Sequence, residues 1–147
     1  MLLTLVLMLI AALAPPASAS SYKRVHPTVL PSTPAPLERV VVRFRARETL
    51  DGTYRAEVEP WPEQSCAGRK SAAVRAPRRG RVVRLELLPS RIDGRRWCVG
   101  AYRATVFFKQ TVRCPPTVNC GDSAEVAVGS TKFTVAPEAG AQGQTPG

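Results

Sequence analysis

The chain has 147 residues, with 21 Lys and Arg against 11 Asp and Glu and a single His, for a net charge of +10. That length holds one ordinary domain with a real core. Seventeen of the cations are Arg and only four are Lys. Beside the Ala, Val and Pro richness this is what GC-rich coding produces, so the charge does not by itself imply a ligand. One histidine leaves little room for a Ser-His-Asp site or for a His-rich metal centre.

The chain opens on an apolar run, Leu2 to Ala14 broken only by Thr4, then Pro15-Pro16 and the small-residue sequence Ala17-Ser18-Ala19. This is the layout of a secretory signal peptide over residues 1–19. At about 1.5 Å per residue the run reaches only ~20 Å, short of a ~30 Å hydrocarbon core. No Lys or Arg precedes it, so the natural start is expected further upstream. The mature protein is expected outside the cytoplasm, with no transmembrane segment after signal cleavage.

Pro27, Pro31, Pro34 and Pro36 in a Ser/Thr/Ala context predict an extended Pro-rich leader over 20–37 rather than a packed element. At the other end, 137–147 is rich in Gly, Gln and Pro and reads as a disordered tail. The folded body is then 38–136, where the apolar period is two. Val40, Val42, Phe44 and Ala46 alternate with polar or basic neighbours, as do Tyr54, Ala56 and Val58, then Val83, Leu85 and Leu87. The longest alternating face runs from Cys98 to Phe108, and weaker runs follow at 125–128 and 132–136. The expectation is an all-β, antiparallel sandwich of about six or seven strands.

Leu50-Asp51-Gly52 has the chemistry of a three-residue hairpin loop, with Gly52 as its left-handed residue. Pairing Thr49 with Thr53 would set Arg47 opposite Arg55, Arg45 opposite Glu57 and Arg43 opposite Glu59, with Phe44 meeting Val58 and Ala46 meeting Ala56 on the core face. Opposed ion pairs contribute roughly 0.2–1 kcal/mol each. On that reading the arginine stripe of 43–47 is sheet-surface pairing.

Four cysteines, Cys66, Cys98, Cys114 and Cys120, predict two disulfides, for which composition allows three connectivities. Cys114-Pro-Pro-Thr-Val-Asn-Cys120 is a short loop closed by its own ends, so those two are expected to pair, leaving Cys66 with Cys98. No Cys-x-x-Cys knuckle is present, so neither zinc nor a thioredoxin-type thiol pair is expected.

The segments Leu85-Glu-Leu-Leu-Pro89, Trp97-Cys-Val-Gly-Ala-Tyr-Arg-Ala-Thr-Val106 and Lys132-Phe-Thr-Val-Ala136 resemble the last strands of bacterial immunoglobulin-like and fibronectin-III-like domains, with their Gly-x-Tyr run. The resemblance covers about 50 residues and implies an immunoglobulin-like β-sandwich. It also implies a corner hydrogen bond from Tyr102 to nearby backbone. Cys98 precedes the tyrosine and no Cys lies in the first strands, so the inter-sheet disulfide of antibodies does not carry over. Small exported proteins with a Trp-Cys-x-Gly-x-Tyr run look similar and bring no activity with them.

No Gly-rich phosphate loop or calcium loop is present, and Glu57 and Glu59 read as surface ion-pair partners rather than a glycosidase pair. Neither catalysis nor a cofactor is expected. The strongest positive signal is Arg69, Lys70, Arg75, Arg78, Arg79, Arg81 and Arg84, seven cations without an acid between them. Arg91, Arg95 and Arg96 could extend the group. A turn at Ala76-Pro77-Arg78-Arg79-Gly80 would project several together towards a polyanion. The expectation is an exported binding or adhesion module contacting anionic cell-envelope polymers. Nucleic acid is disfavoured by export and by the lack of stacking aromatics in the loop. The alternative is a protein-interaction or inhibitor domain that presents the Cys114–Cys120 loop, or the aromatics Trp61, Trp97 and Phe107, to an exported protein. For the aromatics, burial under a folded-over 61–80 loop is the favoured arrangement.

Overall fold

The computed structural model describes residues 21–62, 66, 68–89, 96–121 and 123–138. The expected signal peptide and all but the first two residues of the expected tail lie outside them. Among the described residues there are eight strands and no helix. They are β1 (Thr28–Leu30), β2 (Val40–Arg45), β3 (Gly52–Pro60), β4 (Arg69–Lys70), β5 (Val74–Arg75), β6 (Val82–Leu87), β7 (Gly100–Gln110) and β8 (Glu125–Val135).

Two antiparallel sheets result. The first has the order β1-β2-β6; the second has β4-β3-β7-β8, with β5 also paired to β3. Their inner faces share one core. Val40, Val42, Phe44, Val83, Leu85 and Leu87 from the first meet Tyr54, Ala56, Val58, Tyr102, Ala104, Val106, Phe108, Phe133 and Val135 from the second. Period-two alternation places them: β6 buries every second residue, Val83, Leu85 and Leu87, and exposes Val82, Arg84 and Glu86. Full burial of one such Val, Leu or Phe side chain stabilises by roughly 1.5–3 kcal/mol. Edge-to-face contacts join the layers, with the Phe44 and Tyr54 ring centroids 5.0 Å apart.

The hairpin expected at Leu50–Gly52 does not form. β2 pairs with β6, with Phe44 opposite Val83 and Arg45 opposite Val82. β3 pairs instead with β7, so Ala56 faces Val106 and Val58 faces Ala104. The turn residues carry the chain between sheets. Gly52 is not left-handed; a Cβ there would run into the Lys109 carbonyl and the Phe108 ring, so glycine is required by close approach. The weak runs at 125–128 and 132–136 are one strand, β8, whose pairing with β7 slips at Val106/Phe107. That irregularity broke the alternation in the sequence.

The Pro-rich segment is extended, as its prolines dictate, but it is packed. Val25 is 2% exposed and its N–H donates to the Val128 carbonyl. Pro34 accepts from Ala136 N–H, and Thr28–Leu30 pairs with Arg43–Val41. A Cβ at Gly129 would strike the Val25 carbonyl, so β8 is shaped to receive this segment. Trp97, whose strand parity points to solvent but whose burial is expected, is 3% exposed. It is met by the Pro-rich segment. Its backbone N–H donates to Pro36 and its indole Nε1 to the Glu38 carbonyl, at 2.8 and 2.9 Å. β7 starts only at Gly100, whose φ of 135° suits glycine. Strand parity therefore does not extend back to Trp97.

Both disulfides form as expected, Cys66–Cys98 and Cys114–Cys120, closing loops of 32 and 6 residues' separation. By chain entropy these constrain the unfolded state by about 4 and 2 kcal/mol. Such cross-links belong to an oxidising compartment. No helix among the described residues is long and apolar enough to cross a membrane.

If the Pro-rich segment is part of the core, Val25→Ala should lower the free energy of unfolding by about 2 kcal/mol. Urea denaturation of the oxidised protein measures this, and an unchanged midpoint would mean the segment contributes no packing.

Candidate functional site

The crossing of the chain between sheets decides where the cations go. Two segments cross at the same end of the molecule, 46–51 between β2 and β3, and 76–81 between β5 and β6. They are tied together by Ala46 N–H donating to the Arg81 carbonyl at 2.8 Å and Gly80 N–H donating to the Ala46 carbonyl at 2.7 Å. Gly80 has φ 86°, a left-handed conformation that glycine adopts without steric cost, and it closes the turn that displays Arg78 and Arg79.

Glu48 holds the first crossing. Its side chain is buried, and its carboxylate accepts from Lys23 N–H, Thr49 N–H and Leu50 N–H. Burial alone would raise its pKa, but the three backbone donors together outweigh burial and hold it below the ordinary carboxylate value. The same carboxylate thus fixes the crossing and the end of the Pro-rich segment.

The seven cations of 69–84 do not form one loop. Arg69 and Lys70 make up β4, and Lys70 approaches Glu57 at 3.9 Å. Arg75 lies in β5 and meets Asp51 at 3.5 Å, where Arg113 also reaches at 3.7 Å. Lys70, Arg75 and Arg113 are thus drawn towards carboxylates, whereas Arg69 has a buried Nε without a hydrogen-bond partner. Arg78 and Arg79 stay at the exposed turn and line, with Glu48–Asp51 and Arg75–Pro77, a shallow cleft of about 570 Å3. Arg81 ends the crossing and Arg84 lies on β6 of the first sheet. Arg96 pairs with Glu138 at 3.4 Å, while Arg91 and Arg95 lie outside the described residues.

Arg43 and Arg45, expected opposite Glu59 and Glu57, and Arg47, expected opposite Arg55, do not face that strand. Arg43 lies directly across from Arg84, with Thr28 on its other side. Arg45 donates to the Gly80 carbonyl at 3.1 Å. Among the described residues no carboxylate lies in salt-bridge range of Arg43, Arg45, Arg47, Arg81 or Arg84; the one acid on this face, Glu86, is taken by Arg39 at 3.5 Å. All five arginines are exposed. His26, Thr28, Arg43, Phe44, Arg45, Arg47 and Val82 line a second shallow cleft, of about 410 Å3. The expected acids went elsewhere. Glu57 faces Thr105 and pairs along its own strand with Arg55 at 3.2 Å. Arg55 is held firmly charged chiefly by its hydrogen bonds to Glu125, and Glu125 is correspondingly held below its ordinary pKa by Arg55, against the opposing effect of burial.

The other residues singled out from sequence lie apart from this face. Trp61 is 38% exposed with the Arg103 guanidinium 3.8 Å from its ring centroid, and Phe107 lies under Arg55. Tyr102 is buried and its hydroxyl accepts from Cys98 N–H at 2.9 Å. Residues 111–121, including the Cys114–Cys120 loop, are all exposed. Thr111 N–H donates to the Asp51 carbonyl, so the loop springs from an anchored base. Among the described residues no three His, Cys, Asp or Glu side chains converge as metal ligands.

A carboxylate whose pKa is lower folded than unfolded contributes stability above its unfolded pKa of about 4.3 and loses it as pH falls through the folded value. Glu48→Gln should therefore lower stability at neutral pH by about 1–3 kcal/mol and lose part of the native protein's steepening below pH about 4. Thermal melts from neutral to acid pH read both effects; parallel curves would show that Glu48 does not hold the crossing. No protein-family model matches this chain, and neither does any curated protein or solved structure.

Proposed function

We propose that the protein is an exported, non-catalytic binding module that contacts anionic polymers of the cell envelope through its basic surface. The observation that carries this reading is the gathering of arginines without carboxylate partners on one face. Lys70, Arg75, Arg96 and Arg113 meet carboxylates. Arg43, Arg45, Arg47, Arg78, Arg79, Arg81 and Arg84 gather on the first sheet and the adjoining turn with no such partner among the described residues. Composition bias explains the number of arginines but not their segregation. A surface of one sign attracts polyanions over a Debye length and releases their counterions on contact.

Two disulfides support export, together with the apolar run and small-residue motif at 1–19. The strand order supports an immunoglobulin-like sandwich. Consecutive β2 and β3 lie in different sheets, β6 returns to β2 and β7 to β3, as the second strand pairs with the fifth and the third with the sixth in immunoglobulin domains. Loops and faces of that architecture commonly bind ligands without chemistry of their own.

A second reading, a protein-interaction or inhibitor domain, is favoured by the Cys114–Cys120 loop. Its five intervening residues are exposed and its ends are cross-linked, so a partner would meet a segment already ordered. Trp97 does not support that reading, because it is buried.

Co-sedimentation of signal-free, oxidised protein with cell-envelope fragments at about 50 and 200 mM salt separates the two. Binding through the basic surface should fall steeply across that range and weaken in the triple variant R78Q/R79Q/R81Q. Retention at high salt that disappears on replacing Val118 would assign binding to the short loop instead.

A further inference from the structure

Among the described residues two like-charged pairs face each other across strands, and they are handled differently. On β7 and β8, Arg103 lies opposite Lys132, and both direct their charge to the ring of Trp61, at 3.8 and 5.5 Å from its centroid. On β2 and β6, Arg43 lies opposite Arg84 with neither a carboxylate nor an aromatic ring to share among the described residues. Directly opposed like charges destabilise an antiparallel pair. Arg45 follows Arg43 on the same face, about 6.8 Å further along β2, and Arg47, in the crossing segment just beyond the strand, lines the same cleft. Thr28 and His26 add polar groups on the β1 side of the cleft. The row has one open direction, along β2 towards Arg81 and the Arg78-Arg79 turn, and Glu86 with Arg39 closes the other end.

Resting on the binding function proposed above, we infer that the outer face of β1-β2-β6 is a track for one extended polyanionic chain, of the phosphodiester type, laid along β2. One oxyanion sits between the guanidinium groups of Arg43 and Arg84 and relieves their repulsion; successive anions meet Arg45 and Arg47. Guanidinium groups suit this role because each presents paired N–H donors to a phosphate. A linear row of charges favours a linear polymer over a membrane. A membrane surface offers its anions in a plane and rewards clustered exposed apolar side chains, whereas this face exposes only Leu30 and Val82, on different strands, among the described residues.

The test uses oxidised, signal-free protein and poly(glycerol phosphate), with glycerol phosphate monomer and phosphatidylglycerol vesicles as arms of the same headgroup chemistry. One phosphate shared by Arg43 and Arg84 and one each on Arg45 and Arg47 predict an affinity loss of about 20-fold between about 50 and 200 mM salt. Arg84→Glu replaces the repulsive pair by a cross-strand ion pair, so its Tm should equal or exceed that of the native chain while polymer binding falls at least about tenfold. Its salt slope should become shallower by about 0.7 for each phosphate that is no longer neutralised. R43Q/R45Q should bind the polymer as weakly. R103Q/K132Q, the same change in charge as Arg84→Glu but on the opposite sheet, should bind within about threefold of the native chain, since exposed charges a Debye length away are screened.

Native-like polymer binding by Arg84→Glu would overturn the track. If R78Q/R79Q/R81Q then binds poorly, the broader binding reading survives with the turn as its site; if it too binds normally, both fail. An equal loss in R103Q/K132Q would reduce the effect to net charge. Monomer that competes as well per phosphate as polymer would replace the track by a single-anion site. Vesicle binding without polymer binding would make the partner a membrane surface.

Discussion

The passage of the chain from one sheet to the other between Ala46 and Gly52 is the constraint on which the arrangement depends. A hairpin there would have placed β2 beside β3 and paired arginines with glutamates. The crossing puts them in opposite layers, so their apolar faces look at one another and Phe44 meets Tyr54 edge to face. Glu48 keeps the chain on that path: its carboxylate collects three backbone N–H groups that would otherwise be left without partners where the sheets part. One of the three belongs to Lys23, so the path of the Pro-rich segment and the crossing are fixed by one group.

From that crossing follow the two separate fates of the charged residues. β3 carries its glutamates into the larger sheet, where Arg55 links Glu57 to Glu125 on β8. β2 carries its arginines into the smaller sheet, whose partner strand β6 brings another arginine and whose one acid on the outer face is bound to Arg39. The segregation of charge is thus a consequence of topology. It leaves the larger sheet with glutamates among its cations and the outer face of β2 and β6 with arginines that have no carboxylate partner among the described residues.

The Pro-rich segment joins the two sheets along an edge. Prolines fix φ and remove donors, which suits an extended segment that makes few ladder bonds. Here Val25 meets β8, Thr28–Leu30 adds a short strand to β2, and Pro36 and Glu38 cap Trp97. Short, proline-bounded edge strands also limit pairing with other chains. The segment covers Trp97, which in turn packs on Tyr102, whose hydroxyl receives the Cys98 N–H beside the long-range disulfide.

The sequence alone determined the all-β class, the inward residues of β2, β3, β6 and β7, and both disulfides. Period-two alternation and the short Cys114–Cys120 spacing are local properties that survive any choice of strand partners. What alternation cannot carry is which strand lies beside which. The signs at 43–47 and 55–59 match so well across a hairpin that local chemistry favoured the wrong neighbour. Trp97 and the Pro-rich segment escaped for a related reason: their cover comes from residues some 60 and 100 positions away, and no periodicity within a window reports a contact of that separation. Tertiary structure alone decided the partners of the arginines, because the sign of an electrostatic contact depends on who stands opposite, and that is a property of strand order.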